Sequence, residues 1–292
     1  AKNINADIAS FLFSKDSTRA LVKQLTLNDK SGLRLDTTHA NILFTDQFLV
    51  ASNLFVKTTN SLIQKEIKLS YDSLADIMLN PQNALIEADL NNSTIAFNDL
   101  YILLPALKTA FPPQQFANNK VTIQTELKGN LQRLYLPYLR INGLSGTSLS
   151  ARGTLYNLTD AERFRYDLYI NSSRLLKKDL LKFVPAENQA QLAQLPEVLN
   201  VQGRFIGGVN DLVADFKTVN PGLNFSGRVH LINIQDPEKL QYDLAVNNAT
   251  LSKKMILGFI PAGTLPENIN LPETVNAKGK FKGNLSSFVS DL

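Results

Sequence analysis

The stretch DAERFRYDLYINSSRLLKKDLLKFVPA at 160–186 is written again 76 positions later as DPEKLQYDLAVNNATLSKKMILGFIPA at 236–262, with thirteen of the twenty-seven residues identical. The register continues through LPEVLNVQGRFIGG (195–208) and LPETVNAKGKFKGN (271–284), where Leu-Pro-Glu, Asn and Gly-x-Phe-x-Gly coincide. A weaker copy, NNSTIAFNDLYILLPA (91–106) followed by VTIQTELKGNL (121–131), comes before both. A fixed period means that one supersecondary unit is used several times, and this overrides any domain count taken from length alone. The expected organisation is a leading β segment at 1–80, a weak repeat at 81–158, a second at 159–234 and a third, cut short, at 235–292, all parts of one continuous structure.

Within a repeat the apolar residues recur every second position. FRYDLYI sets Phe164, Tyr166, Leu168 and Ile170 on one side and Arg165, Asp167 and Tyr169 on the other. LQYDLAV does the same with Leu240, Tyr242, Leu244 and Val246. The alternation returns at Val121, Ile123 and Leu127, at Leu149, Ala151 and Leu155, and at Leu199, Val201 and Phe205, whose repeat partner is Phe281. Turn signals such as NDKSG (28–32), LNPQN (79–83), NPG (220–222) and NIQDPE (233–238) separate the runs. Strands with one apolar and one wet face, following each other at short spacing, predict an all-β, antiparallel architecture.

The Lys-Lys segment breaks that rhythm. Leu176, Leu180, Leu181 and Val184 recur at helical spacing until Pro185 stops them, and NDLYILLPALKTAF reads the same way. ENQAQLAQL (187–195) adds a further short helix before Pro196. Each repeat is therefore expected to hold several strands and one short helix ending in Pro.

Composition removes most chemistries. There is no Cys, so neither disulfides nor thiolate catalysis arise, and His39 and His230 lie far apart, which leaves no zinc-ligand pattern. The net charge of +4 comes from scattered Lys and Arg without a run of five, so no nucleic-acid partner is expected. No stretch of eighteen apolar residues spans a membrane, and Ala1 opens in mid-pattern, so the chain reads as a piece of a longer protein. No phosphate loop, nucleophile elbow or metalloprotease motif occurs. The chain reads as a non-enzyme, with no cofactor and no metal.

A long one-faced sheet must hide its apolar side against a second sheet, within a closed barrel, under helices or against a ligand. The helices are too few, and a transmembrane barrel needs aromatic girdles that a chain without Trp does not supply. A sandwich of stacked β-domains with a dry core stays open. The favoured solution is a long antiparallel sheet curled into an open, elongated groove. Val121, Ile123, Leu127, Leu149, Ala151, Leu155, Phe164, Tyr166, Leu168, Ile170, Val201, Phe205, Leu240, Tyr242, Leu244, Val246 and Phe281 would line it and meet acyl chains.

The Asn-rich strand, the short helix ending in Pro, the ELKGNL (126–131) and KFKGNL (280–285) strands and SLSARGTLYNL (148–158) resemble the periplasmic repeats of the AsmA-like superfamily, of the TamB type found in Bacteroidetes-type envelopes. KSG (30–32) opening a β-stretch and TTNS (58–61) closing a hairpin extend the resemblance to nearly the whole chain. It implies a β-taco groove that conducts phospholipid between inner and outer membranes and supports outer-membrane biogenesis. It also implies a periplasmic location, a tether in the inner membrane from a segment outside these residues, and an Omp85-type outer-membrane barrel as a partner through regions likewise outside them. The alternative function is a structural or adhesive β-repeat stalk with a dry core.

Three motifs have plainer readings. Lys177-Lys178 and Lys253-Lys254 read as the solvated edge of a packed helix before they read as phosphate ligands. Gly203, Gly207, Gly279 and Gly283 read as curvature points in strands. Asp160 with Glu162, and Asp236 with Glu238, read as turn formers beside Arg163 and Lys239.

Overall fold

Period-two runs fold here as strands. The computed structural model describes residues 3–103, 105, 107–110, 112–183, 189, 194–259, 270–284 and 287–291. Among these residues the chain is all-β, a long antiparallel sheet of seventeen strands with a few short helices. It divides into two compact units, one of Ala1–Leu144 and Gly153–Ala161, the other of Ser145–Arg152 and Glu162–Leu292.

In the first unit β1 (Asn3–Phe13), β2 (Thr18–Asn28), β3 (Arg34–Phe44), β4 (Phe48–Thr58) and β5 (Leu62–Ser70) each pair with the next. A short helix, α1 (Leu74–Leu79), follows, its first turn capped by the Ser73 hydroxyl. Two short strands, β6 (Leu85–Asp89) and β7 (Ser93–Ala96), share one place in the sheet. Both pair with β5 on one side and with β8 (Lys120–Gly129) on the other. β8 then pairs with β9 (Arg133–Gly143). Between β7 and β8 lie α2 (Phe97–Leu103), α3 (Leu107–Ala110) and α4 (Pro113–Phe116), which bring Phe97, Tyr101 and the fully buried Phe116 down onto Val121.

β10 (Thr147–Tyr156) is shared between the units. In the second unit β11 (Arg165–Leu176), β12 (Val198–Gly208), β13 (Asp211–Asn220), β14 (Leu223–Ile232), β15 (Gln241–Ser252), β16 (Thr274–Asn284) and β17 (Phe288–Asp291) each pair with the next. α5 (Lys177–Leu180) runs on from β11 and α6 (Lys253–Phe259) from β15.

The 76-residue offset carries β11, α5 and β12 onto β15, α6 and β16 with matching strand limits. The pairing is carried over as well. Ile170 faces Gly203 and Val246 faces Gly279; after a bulge, Ser173 faces Val201 and Ala249 faces Ala277. In the weak copy the same break separates β6 from β7, and Ser93 faces Ile123. A bulge interrupts the ladder of hydrogen bonds, and in two of the three copies a buried hydroxyl fills the gap, Ala249 standing there in the third. Ser173 Oγ accepts the Ser150 N–H at 2.9 Å, and Ser93 Oγ accepts the Gln64 N–H at 3.1 Å.

The repeated Lys and Leu-Pro-Glu have a common backbone role. Lys177 N–H donates to the Glu197 carbonyl and Lys253 N–H to the Glu273 carbonyl, both at 2.9 Å, closing the strand pair where each helix begins. Lys177 Nζ adds an ion pair with Glu197 at 2.5 Å. α5 is a single turn continued by a 3-10 turn at Leu181–Phe183, and α2 and α6 are each described over seven residues, the two turns at most that the apolar spacing predicts. Pro185, Pro261 and most of the helix expected at 187–195 lie outside the described residues.

Gly203 has φ +157°, and a Cβ there would stand 2.2 Å from the Asp215 carbonyl oxygen and 2.5 Å from Phe216 Cα on β13. The neighbouring strand comes too close for any side chain. Gly203→Ala is expected to cost about 2–4 kcal/mol in urea unfolding; a loss below about 1 kcal/mol would show that the strand pair can relax around the methyl group.

Candidate functional site

Residues directly opposite each other in an antiparallel pair project to the same face, so the register assigns every side chain of the second unit to one side. Tyr166, Leu168, Ile170 and, past the bulge, Ser173 and Leu175 face Gly207, Phe205, Gly203, Val201 and Leu199. Those face Leu212, Ala214, Phe216 and Thr218 of β13, which face Leu231, Val229, Gly227 and Phe225 of β14. The row continues through Tyr242, Leu244, Val246, Ala249 and Leu251 of β15 to Gly283, Phe281, Gly279, Ala277 and Val275 of β16. No charged residue stands on this face of β11 to β16. Arg165, Asp167, Arg204, Asp215, Arg228, Asp243 and Lys282 all stand on the other.

Of the expected lining residues in this unit, Tyr166, Leu168, Ile170, Val201, Phe205, Tyr242, Leu244, Val246 and Phe281 share that face. Phe164 and Leu240 stand one residue ahead of their strands, and the Phe164 ring lies 6.2 Å from that of Tyr166. Leu149 and Ala151 alternate along β10, Ala151 being only 1% exposed, and Leu155 continues the alternation in the part of β10 that belongs to the first unit. In the first unit Val121, Ile123 and Leu127 share one face of β8. Val121 and Ile123 pack against the α2–α4 core, whereas Leu127 sits opposite Ala88 outside that cluster.

Burial is uneven between the two sides. Every buried residue of β11 to β16, among them Leu199, Ala214, Thr218, Val246 and Ala249, stands on the uncharged face. Crowding on one side only is what a sheet bent toward that side produces. The larger side chains there, Leu168, Phe205, Phe216, Leu244 and Phe281, remain partly exposed. A dry core under a second layer would bury them completely. Phe216 lies between Gly203 and Gly227, with ring neighbours Phe205 at 5.7 Å and Phe225 at 4.9 Å. Glycine therefore leaves room for the rings that cover this surface.

No family model, no curated protein and no solved structure matches this chain.

Asp236 closes a turn, its carboxylate 2.9 Å from Lys239 Nζ. Lys177 is no solvated edge, because its side chain is only 16% exposed and paired with Glu197. His39 stacks on Phe55 with ring centroids 4.8 Å apart. Among the described residues no group of three or more His, Asp or Glu is placed to hold a metal, and no helix is long and apolar enough to cross a membrane. An open depression of about 420 Å³ lies mainly on the charged face, between Tyr169, Gln202, Arg204, Lys217, Ser226 and Asn247.

Sequence reasoning missed the contribution of β13 and β14. Leu212, Ala214 and Phe216, and Phe225, Val229 and Leu231, alternate as clearly as the residues it found. They fall between the matched repeat segments, so a reading led by the repeat passed over them.

On the charged face Arg204 makes two hydrogen bonds to Asp167, at 2.9 and 2.7 Å. These bonds hold the Asp167 carboxyl below the usual carboxylate range, with burial opposing them. A depressed folded pKa gives stability that is present above the unfolded value, about 3.9, and lost as pH falls through the folded value. Asp167 is partly exposed and its pair is screened by water, so Asp167→Asn is expected to cost at most about 1 kcal/mol at neutral pH. Urea titrations of both proteins at pH 7 and below pH ~3 should show the difference vanish in acid; a constant difference would assign the cost to packing.

Proposed function

We propose that this chain is a non-enzymatic, lipid-conducting segment of a TamB or AsmA-like envelope protein. In this reading it works in the periplasm, where its apolar faces receive phospholipid acyl chains on their way between the inner and outer membranes, in support of outer-membrane biogenesis. The tether in the inner membrane and the docking on an Omp85-type barrel belong to regions outside these residues. The observation that carries the proposal is the charge-free face of β11 to β16, whose large side chains stay partly exposed while all the strand charges stand on the other side.

The dimensions agree. Six strands at about 4.8 Å spacing give an apolar width of about 24 Å. One leaflet of a bilayer core is roughly 15 Å deep, so an acyl chain fits across the face. Each methylene that leaves water for it gains about 0.8 kcal/mol, enough to hold a lipid without any polar contact to its headgroup. Binding by area alone is non-directional, which suits a surface along which a ligand must slide.

Photocrosslinking residues at Leu168 and Leu244 should capture phospholipid in cells, while those at Arg165, Asp167 and Gln241 should not. Leu168→Asp and Leu244→Asp should fold with a loss of about 1–2 kcal/mol and lose lipid, because an open face lets the new charge reach water. In a stalk with a dry core the same carboxylates would be buried unpaired at about 3–5 kcal/mol, and the variants would be insoluble. Soluble variants that keep their lipid, or equal capture from both faces, would remove the proposal.

A further inference from the structure

One position of the short helix is filled by Asp99, Asp179 and Met255 in turn, and at the first two a carboxylate seats the helix on a hairpin turn. Asp99, 7% exposed, accepts hydrogen bonds from Thr58 Oγ1 and Ser61 Oγ, both at 2.5 Å, in the turn between β4 and β5, with Asn60 Nδ2 at 3.5 Å. Asp179, 1% exposed, accepts the Ser145 N–H with both oxygens at 3.1 Å and Thr147 Oγ1 at 2.7 Å, while Lys182 Nζ stands 4.0 Å away. Each carboxylate is buried and each is satisfied by the residues of one turn.

The third repeat changes the whole set together. Met255, 3% exposed, replaces the Asp, and Gly258 stands where Lys182 does. The turn beside the end of β15, where α6 begins, is Pro221-Gly222, its Gly222 carbonyl accepting the Ser252 N–H at 3.0 Å. That turn has no hydroxyl, and its Pro has no N–H to offer. These exchanges are concerted, although thirteen of the twenty-seven surrounding residues are the same.

We infer that helix residue and turn are matched pairs that decide which helix seats on which hairpin, and that this matching keeps the similar repeats from exchanging helices during folding. The helix of Asp179 on the Pro-Gly turn would bury a carboxylate without hydroxyl donors. The helix of Met255 on the turn at 145–147 would take away the acceptor that the Ser145 N–H and the half-buried Thr147 hydroxyl share. Each wrong seating therefore leaves a polar group without its partner, and neither right one does.

Hydrogen exchange on the full chain tests the pairing. Met255→Asp should speed exchange of the α6 amides about tenfold or more, and replacing 220–223 in the same chain by Leu-Ser-Gly-Thr, the residues of 144–147, should restore them to within about threefold of wild type. Unchanged α6 protection in Met255→Asp, or no rescue by the new turn, would overturn the match. Should Met255→Asp fail to fold, Asp179→Asn reads the same contact from the other side: faster exchange in α5 with α6 unaffected supports it, and loss in both helices or in neither overturns it. The rescued chain, whose second and third repeats then carry like pairs, should refold from denaturant with about half the native yield of wild type or less; an equal yield would end the exchange-blocking role.

Discussion

Side-chain parity is the constraint on which the rest of this structure depends. A strand shows alternate residues to alternate sides, so a single unmatched insertion would turn every later residue of that strand over. The repeats contain such an insertion at a fixed place, between Ile170 and Ser173 and between Val246 and Ala249. Before it the even-numbered residues of β11 face the uncharged side, and after it the odd-numbered ones do. The sequence changes phase at the same point, from Tyr-x-Leu-x-Ile to Ser-x-Leu, so the face stays apolar across the bulge. The buried hydroxyls of Ser93 and Ser173 make this tolerable by taking up ladder groups that the extra residue would orphan.

The two sides of the second unit then do different work. Charges on the wet side pair across strands, as in Asp167 with Arg204 and Asp243 with Lys282, and they disfavour a slip of register that would set like charges opposite each other. The apolar side specifies little by itself, because Leu on Val packs about as well as Leu on Ile. Its shape comes from small residues. Gly203, Gly227 and Ala214 sit among Phe205, Phe216 and Phe225, and the backbone approaches that glycine permits bring the strands together under the rings. The face is continuous and uncharged, and its polar residues Ser173, Thr218 and Asn220 are turned to partners within the sheet.

Alternation, period and turn residues determined much of this without any structure: the all-β class, the strand limits that recur at the 76-residue offset, and the side on which Tyr166, Leu168, Leu244 and Phe281 lie. These are local properties of a chain, set by the two-residue repeat of an extended backbone and by residues that break it. Tertiary structure alone decided the rest. That Val121 and Ile123 lie under α2–α4 while Leu127 does not depends on where a distant helix lands. That β13 and β14 complete the uncharged face depends on cross-strand register, which no single strand encodes. The roles of Asp99 and Asp179 were illegible for the same reason, since an Asp at the start of a short helix looks like an ordinary solvated residue until Thr58, Ser61, Ser145 and Thr147 are brought to it from about 30 to 40 positions away. Local sequence sets which side a residue takes, and only the closed ladder sets what it meets there.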